Sequence, residues 1–198
     1  MQKMATIEKP WEEALLNNLA CAGPLGLHAA EYLRCNRIQL NVVNNDATNL
    51  WWKMKWGLSG PRMQPAMFLS RHLANKPPDS AWLMASIVHE TRHLQQGFWT
   101  AFSVYGELDA WQAGFRFYET LPGHRPLKPT IRQLLALPLS HEPSILRQAR
   151  DLINQNENEG STFLQQVGWV VMGKKSPRHI YWIKLLPLNP LFSQGHPG

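Results

Sequence analysis

The sequence predicts an α+β fold in which a small, mostly antiparallel sheet packs on helices. Strand-like segments fall between residues 37 and 73, where β-branched residues are common and apolar residues alternate with polar ones. Most of the helical patterns follow this region instead of alternating with it, as they would in a parallel α/β fold. The chain has 198 residues, of which 44% are apolar, so it can bury a substantial core.

The first half of the sequence contains two predicted helices and three predicted strands. Amphipathic patterns in WEEALLNNLACAG and GLHAAEYLRCN predict the helices, and Gly23 with Pro24 ends the first one. The predicted strands are RIQLNVV (37–43), WWKMKWGLSG (51–60) and PAMFLSRHL (65–73).

The second predicted strand is unusual because three of the nine tryptophans of the chain lie in it. One interpretation is an exposed apolar surface that binds a peptide, a glycan or a membrane. However, Trp52, Met54 and Trp56 alternate with Lys53 and Lys55. This alternation favours a strand with its tryptophans packed inward and its lysines facing outward.

The second half of the sequence is predicted to be mainly helical. Asp79 or Ser80 is placed to begin a helix that continues to Gln96 and ends at Gly97. We expect residues 1–125 to form one domain and residues 126–198 to form a helical and β extension packed on it. The remaining predicted elements are three helices, VYGELDAWQAGFRFYETL (104–121), IRQLLAL and PSILRQARDLINQNE, and two strands, GWVVM and HIYWIKLL.

The overall composition argues against several classes of protein. The net charge is +6, but the basic residues are scattered, so a solvated surface is favoured over a nucleic-acid-binding patch. No apolar run is long enough for a transmembrane helix, and the first residues lack the apolar segment of a signal peptide. With only Cys21 and Cys35 present, we expect two free thiols in a reducing, cytoplasmic compartment.

The stretch IVHETRHLQQG (87–97) carries the strongest functional signal. His89 and His93 stand one helical turn apart on the same face, so their ring nitrogens can meet at one metal ion, about 2.0–2.1 Å from each. Glu90 lies about 60° around the helix axis from His93, where a carboxylate can act as general base for a metal-activated water. The alternative interpretation is two histidines and a glutamate on an ordinary solvated helix face.

A catalytic zinc site needs a third protein ligand. The residues after His93 do not continue as H-x-x-G-x-x-H, so this ligand has to come from elsewhere, and the next predicted helix offers Glu107. With His89, Glu90, His93 and Glu107, the sequence resembles the gluzincin metallopeptidases of the thermolysin-like and minigluzincin types. The resemblance covers about residues 37–121. It implies a zincin-like fold, a Zn²⁺ cofactor and a peptide or protein substrate.

The resemblance also assigns roles to neighbouring segments. MFLSRHL looks like the edge strand that lines the substrate cleft in this family. Ala110 stands three positions after Glu107, where many members have a small residue that lets the two helices approach each other. Gly114 extends this stripe of small residues by one turn.

One position departs from the family pattern. Several members have an aspartate four positions after the glutamate ligand, where it holds a ligating histidine, but this sequence has Trp111 there. A backbone carbonyl is the expected substitute for that carboxylate. Asp109 lies about 200° around the helix from Glu107, so we expect it on a polar outer side together with Gln112.

A zinc hydrolase usually also provides a donor that stabilises the developing oxyanion. The candidates are Tyr105, Arg116, Tyr118 and His124, and no motif singles out one of them. Tyr118 faces a direction similar to that of Glu107, although most tyrosines in such positions are core residues. His124 lies in the loop LPGHRP, where a surface histidine is the more common case.

The sequence therefore predicts a zinc metallopeptidase in which His89, His93 and Glu107 bind Zn²⁺ and Glu90 is the general base. The alternative is a non-catalytic module of the same fold, which keeps the metal for structure or regulation and binds a partner or nucleic acid. Glu90 discriminates between them, because a structural site needs no base and a closed one has a fourth protein ligand.

Overall fold

The computed structural model describes residues 5–43, 49–57, 60–101 and 103–157. In these ranges the chain is a helix-rich mixture of helices and one small sheet. The two strands predicted at GWVVM and HIYWIKLL lie outside the described residues.

The predicted helices are confirmed within the described residues. Proline stands in the first turn of α1, α2 and α7, where its fixed φ favours the helix and its missing N–H is not needed. Gly97 ends α4 with a φ of 79°, a left-handed conformation that glycine adopts without steric cost. The helices are α1 (Lys9–Cys21), α2 (Pro24–Cys35), α3 (Arg71–Ala74), α4 (Ala81–Gln96), α5 (Phe98–Ala101), α6 (Val104–Thr120), α7 (Pro129–Ala136) and α8 (Pro143–Glu157).

The strands form a four-stranded sheet in the order β1-β2-β4-β3. The strands are β1 (Ala5–Thr6), β2 (Leu40–Val43), β3 (Asn49–Gly57) and β4 (Gly60–Ser70). β1 pairs with β2 in antiparallel orientation, and so does β3 with β4. The prediction of antiparallel strands is wrong at the centre of the sheet, where β2 and β4 run parallel from Leu40↔Met67 to Val43↔Ser70.

The parallel pairing follows from where β4 inserts. β4 folds back on β3 as a hairpin and then lies between β3 and β2, so two reversals of direction leave it parallel to β2. Its apolar run, residues 66–69, is buried, as expected for a strand with neighbours on both sides. The prediction that this segment is an edge strand is therefore wrong, and β3 is the outer strand on this side.

The third predicted strand is also shorter at its C-terminal end than the sequence suggested. Ser70 is the last residue of β4, and its side-chain oxygen accepts a hydrogen bond of 3.3 Å from the backbone N–H of Leu73. This cap begins α3, so residues 71–73 belong to a helical turn instead of the strand.

Two hydrophobic clusters hold these elements together. The larger one joins α1, α2, α4 and α6 to the sheet, and Leu15, Leu83, Ile87 and Met67 in it are completely buried. The smaller one packs α7 and α8 against the outer side of α6. α4 and α6 therefore lie side by side in the interior. α1, α2 and the sheet pack against this pair of helices, and α7 and α8 pack against α6.

Cys21 and Cys35 are both exposed and free of disulfide bonds, as predicted. Over the described part of the chain, no helix combines the length and the apolar character needed to span a bilayer.

The contact between α1 and α2 depends on Gly26. A Cβ atom on Gly26 would lie 2.2 Å from the carbonyl oxygen of Leu19 and 2.8 Å from a ring carbon of Phe117. We predict that Gly26→Ala lowers the free energy of unfolding by about 1–3 kcal/mol, although alanine is the better helix former. Chemical denaturation followed by circular dichroism measures this change.

The neighbouring variant Leu27→Ala is the control, because Leu27 is an exposed residue of the same helix. It should stay within about 0.5 kcal/mol of the parent. A Gly26→Ala protein as stable as the parent would show that α1 and α2 are not in this close contact.

Candidate metal centre

His89, His93 and Glu107 come together between α4 and α6. The Nε2 atoms of His89 and His93 lie 3.1 Å apart. Glu107 Oε1 lies 3.3 Å from His93 Nε2, and Glu107 Oε2 lies 3.9 Å from His89 Nε2. His93 and Glu107 are buried, and the His89 side chain is 20% exposed. Among the described residues these three form a group that could hold a metal ion.

Close packing of α6 on α4 brings Glu107 to the histidines. A Cβ on Gly114 would lie 3.1 Å from both the Ala85 carbonyl oxygen and His89 Cβ, so the helices touch at the backbone of Gly114. Ala110 is completely buried, and its backbone lies close enough to the His89 ring to act on the pKa of His89, which it raises against the larger effects of burial and His93. The predicted close approach of the two helices is confirmed at Gly114, and a backbone group does contact the ring of a histidine.

The distances fit a single bound cation. Ligand atoms that are each about 2.0–2.1 Å from one ion can be at most about 4.2 Å apart, and the shortest separation between each pair of these residues meets this limit, with Oε1 of Glu107 nearest His93 and Oε2 nearest His89. Within the described residues, Glu107 Oε2 is buried and has no hydrogen-bond partner. A cation would satisfy this oxygen, and two imidazoles with one carboxylate are a donor set that divalent transition metals bind.

The cluster holds charged groups away from water. Burial acts to lower the pKa of His93, but the Glu107 carboxylate more than compensates and raises it to about 9. Burial acts to raise the pKa of Glu107, yet His93 holds it below its usual value. Burial, together with the neighbouring His93, lowers the pKa of His89 to about 3. Without a metal, His93 and Glu107 are therefore an ion pair beside a neutral His89.

Glu90 borders this cluster without belonging to the ligand group. Burial is the main reason that its pKa rises to about 8, with His93 opposing the rise and Glu107 adding to it. Glu90 is therefore close enough to His93 and Glu107 for their charges to act on its carboxyl group.

A chain of hydrogen bonds holds the His93 ring through Nδ1, the ring nitrogen that does not face His89 and Glu107. His93 Nδ1 lies 3.2 Å from Gln96 Oε1. Gln96 Nε2 donates to Asp109 Oδ2 at 2.8 Å and to the Gly106 carbonyl at 2.9 Å. Because both donors of the amide are used in this way, its oxygen faces His93 and accepts from Nδ1–H. In its neutral form His93 therefore presents the lone pair of Nε2 to His89 and Glu107, as a metal ligand must.

The expected location of Asp109 on a polar outer side is wrong. Asp109 is 7% exposed and Gln112 is 1% exposed. Asp109 Oδ2 accepts hydrogen bonds from Gln96 and from Arg92 Nε, each at 2.8 Å. Sequence reasoning missed Gln96, although its position three residues after His93 puts it on the same helix face.

Trp111 stands where the family has its second carboxylate, and it acts as a packing residue. Its ring lies 5.8 Å from the His89 ring in an edge-to-face arrangement with an interplanar angle of 86°. The Trp111 side chain also acts to lower the pKa of Glu107, as a nearby N–H donor does. Within the described residues, however, the buried Nε1 of Trp111 has no partner that meets the geometry of a hydrogen bond.

The residues predicted as oxyanion stabilisers have other partners. Tyr105 stacks on His141 with ring centroids 4.0 Å apart. The Tyr118 hydroxyl accepts from the Arg125 backbone N–H at 3.0 Å, and its ring lies beside that of His124. For the fourth candidate, Arg116, the partner is Gln112. None of these contacts involves the metal-ligand group, so the stabilising role stays a prediction.

We predict that Glu107→Ala weakens metal binding far more than Asp109→Ala does. Glu107 supplies an atom to the ligand group, whereas Asp109 acts through Gln96, where a loss of about 10–100-fold is expected. Titration of both variants with zinc against a competing chelator measures the difference. Loss of metal in Asp109→Ala with retention in Glu107→Ala would contradict the ligand assignment.

Comparison of the chain with models of known protein families, with curated proteins and with solved structures gives no match. The case for a metal centre therefore rests on the geometry of His89, His93 and Glu107 in this chain.

Proposed function

We propose that the protein is a zinc-dependent metallopeptidase of the gluzincin type. The observation that carries this proposal is the convergence of His89, His93 and Glu107, with Glu90 beside them. Its substrate is then a peptide or protein, and its cofactor is Zn²⁺. A zinc ion held there would supply Lewis acidity, which lowers the pKa of a water molecule to near 7.

The residues of the chain have distinct roles in this proposal. Gln96 orients His93, and Ala110 contacts His89, so that both rings keep their Nε2 atoms turned toward Glu107. Glu90 accepts the proton of the attacking water and delivers it to the leaving nitrogen. β3 is better placed than β4 to line the substrate cleft, because it is the outer strand of the sheet.

The alternative is a metal-binding module without catalysis, serving a regulatory or partner-binding role. Such a site is usually closed by a fourth protein ligand. In the described part of the chain the ligand group has three members, two histidines and one glutamate, and Glu90 lies outside it. This arrangement favours an enzyme, because no fourth ligand among the described residues takes the coordination position that a catalytic zinc keeps for water.

Our first functional prediction concerns the metal itself. We expect mildly purified protein to contain close to one equivalent of zinc, because one ligand atom from each of the three residues lies within 4.8 Å of the other two. His89→Ala should lose most of it, whereas His72→Ala should not, since His72 is exposed on α3. Elemental analysis of parent and variants measures the content. A parent protein that holds no zinc and rebinds none would refute the proposal.

A second prediction separates catalysis from metal binding. Glu90→Gln keeps the side-chain shape but removes the base, so we expect zinc content to be retained and peptide cleavage to fall by about 10²–10⁴-fold. A mixed library of quenched fluorogenic peptides provides the assay. The control is Glu119→Gln, because Glu119 is an exposed residue of α6. Cleavage by Glu90→Gln at the parental rate would rule out this mechanism.

A further inference from the structure

A second candidate site lies on the other side of α4. A pocket of about 310 Å³ opens between α2, α4 and α6, and Arg92 forms part of its α4 wall. Arg92 is two residues from Glu90, which corresponds to about 200° around the helix axis. The residues that line the pocket include neither Glu90 nor any of His89, His93 and Glu107, so the pocket is separate from the candidate metal centre.

One guanidinium in this pocket, that of Arg92, is held in place by a buried carboxylate. Arg92 Nε donates to Asp109 Oδ2 at 2.8 Å, and Asp109 is in turn fixed by Gln96. Arg92 Nη1 also donates to Gln95 Oε1 at 3.3 Å. Within the described residues, Nη2 has no partner, and it remains available to a ligand.

The second guanidinium in this pocket, that of Arg116, is held by the buried side-chain amide of Gln112. Gln112 is 1% exposed, and its Nε2 donates to the carbonyl oxygens of Leu134 and Leu137 at 2.9 and 2.8 Å. Its Oε1 therefore faces Arg116 and accepts from Nη2 at 3.0 Å. Holding a long, flexible side chain in one orientation removes part of the entropic loss of ligand binding.

The charge of the pocket suits a monoanion. Arg92 is compensated by Asp109, whereas Arg116 has no carboxylate partner among the described residues. With the pocket histidine, His28, counted as neutral, the pocket residues carry one excess positive charge. A planar guanidinium matches the geometry of a carboxylate, and a carboxylate carries a single negative charge.

The remaining wall of the pocket is largely apolar. Leu25 and Leu139 are among the few large apolar side chains that are exposed in the described residues, at 40% and 44%, and both line this pocket. Ala29, Val88 and Ala113 line it as well. Apolar surface next to two fixed arginines is the surface that an aliphatic carboxylate would cover.

We infer that this pocket binds a small ligand that combines a carboxylate with an apolar chain. Arg116 and Arg92 bind the carboxylate, and the leucines at the rim cover the chain. One more pocket residue, Thr91, has a buried hydroxyl without a partner in the described residues, which is an unused polar group in the same wall.

The test is an NMR titration of ¹⁵N-labelled protein, followed at the Nε–Hε resonances of Arg92 and Arg116. Octanoate should shift both resonances with saturation and a Kd of about 1 mM or below. Acetate should bind at least about tenfold more weakly, because it lacks the chain. Inorganic phosphate should also bind more weakly than octanoate, because it is more highly charged and has no apolar part.

Variants decide whether the arginines are responsible. Arg116→Gln should weaken octanoate binding by about tenfold or more, whereas Arg132→Gln, an exposed arginine on α7, should not change it. A circular dichroism melting curve verifies that both variants fold.

Three results would each overturn the inference: no saturable shift with octanoate, binding of phosphate as tight as that of octanoate, or undiminished binding by folded Arg116→Gln. Equal affinity for acetate and octanoate would refute the apolar half of the site. Neither metal nor peptidase activity enters this experiment, so its outcome is independent of the proposed function.

Discussion

The contact between α4 and α6 at Gly114 is the constraint on which the rest of the structure depends. Any side chain there would have to displace the Ala85 carbonyl or the His89 side chain. Because the two backbones touch, Glu107 on α6 reaches the histidines on α4, and Asp109 reaches Gln96 and Arg92. The metal-ligand group, its supporting hydrogen bonds and one wall of the second pocket are all consequences of this single contact.

The same contact places polar side chains in the interior of the protein. Some of their polar atoms have hydrogen-bond partners there, and others do not. Asp109 Oδ2 accepts two hydrogen bonds, and the Gln112 amide makes three, so that both side chains are fixed in orientation. Glu107 Oε2 has no hydrogen bond within the described residues. Buried polar groups normally have partners, so an exception next to two histidines fits a group that could hold a metal ion.

Sequence reasoning succeeded where the signal was local. The spacing of His89 and His93 determines that they share a helix face, and Gly97 determines where that helix ends. It failed where the outcome depended on residues distant in the chain. The insertion of β4 between β2 and β3 has no local signature beyond a short apolar run, which fits both an edge strand and a central strand.

Asp109 shows the same limit at the level of one residue. Asp109 is about 200° from Glu107 around α6 and stays outside the ligand group, but the prediction that it faces an outer, polar side is wrong, because both carboxylates reach α4. The packing of α7 and α8 covers α6 near Gln112, and Arg92 covers Asp109. No pattern within α6 reveals these neighbours, because they come from other parts of the chain.

Asp109 also links the two sites of the molecule. Its Oδ2 atom accepts hydrogen bonds from Gln96, which orients His93, and from Arg92, which lines the second pocket. The two donors share one acceptor atom, so loss of the Asp109 side chain would remove both hydrogen bonds at once. The support of a metal ligand on one face of α4 and the position of an arginine on the other face therefore depend on the same carboxylate oxygen.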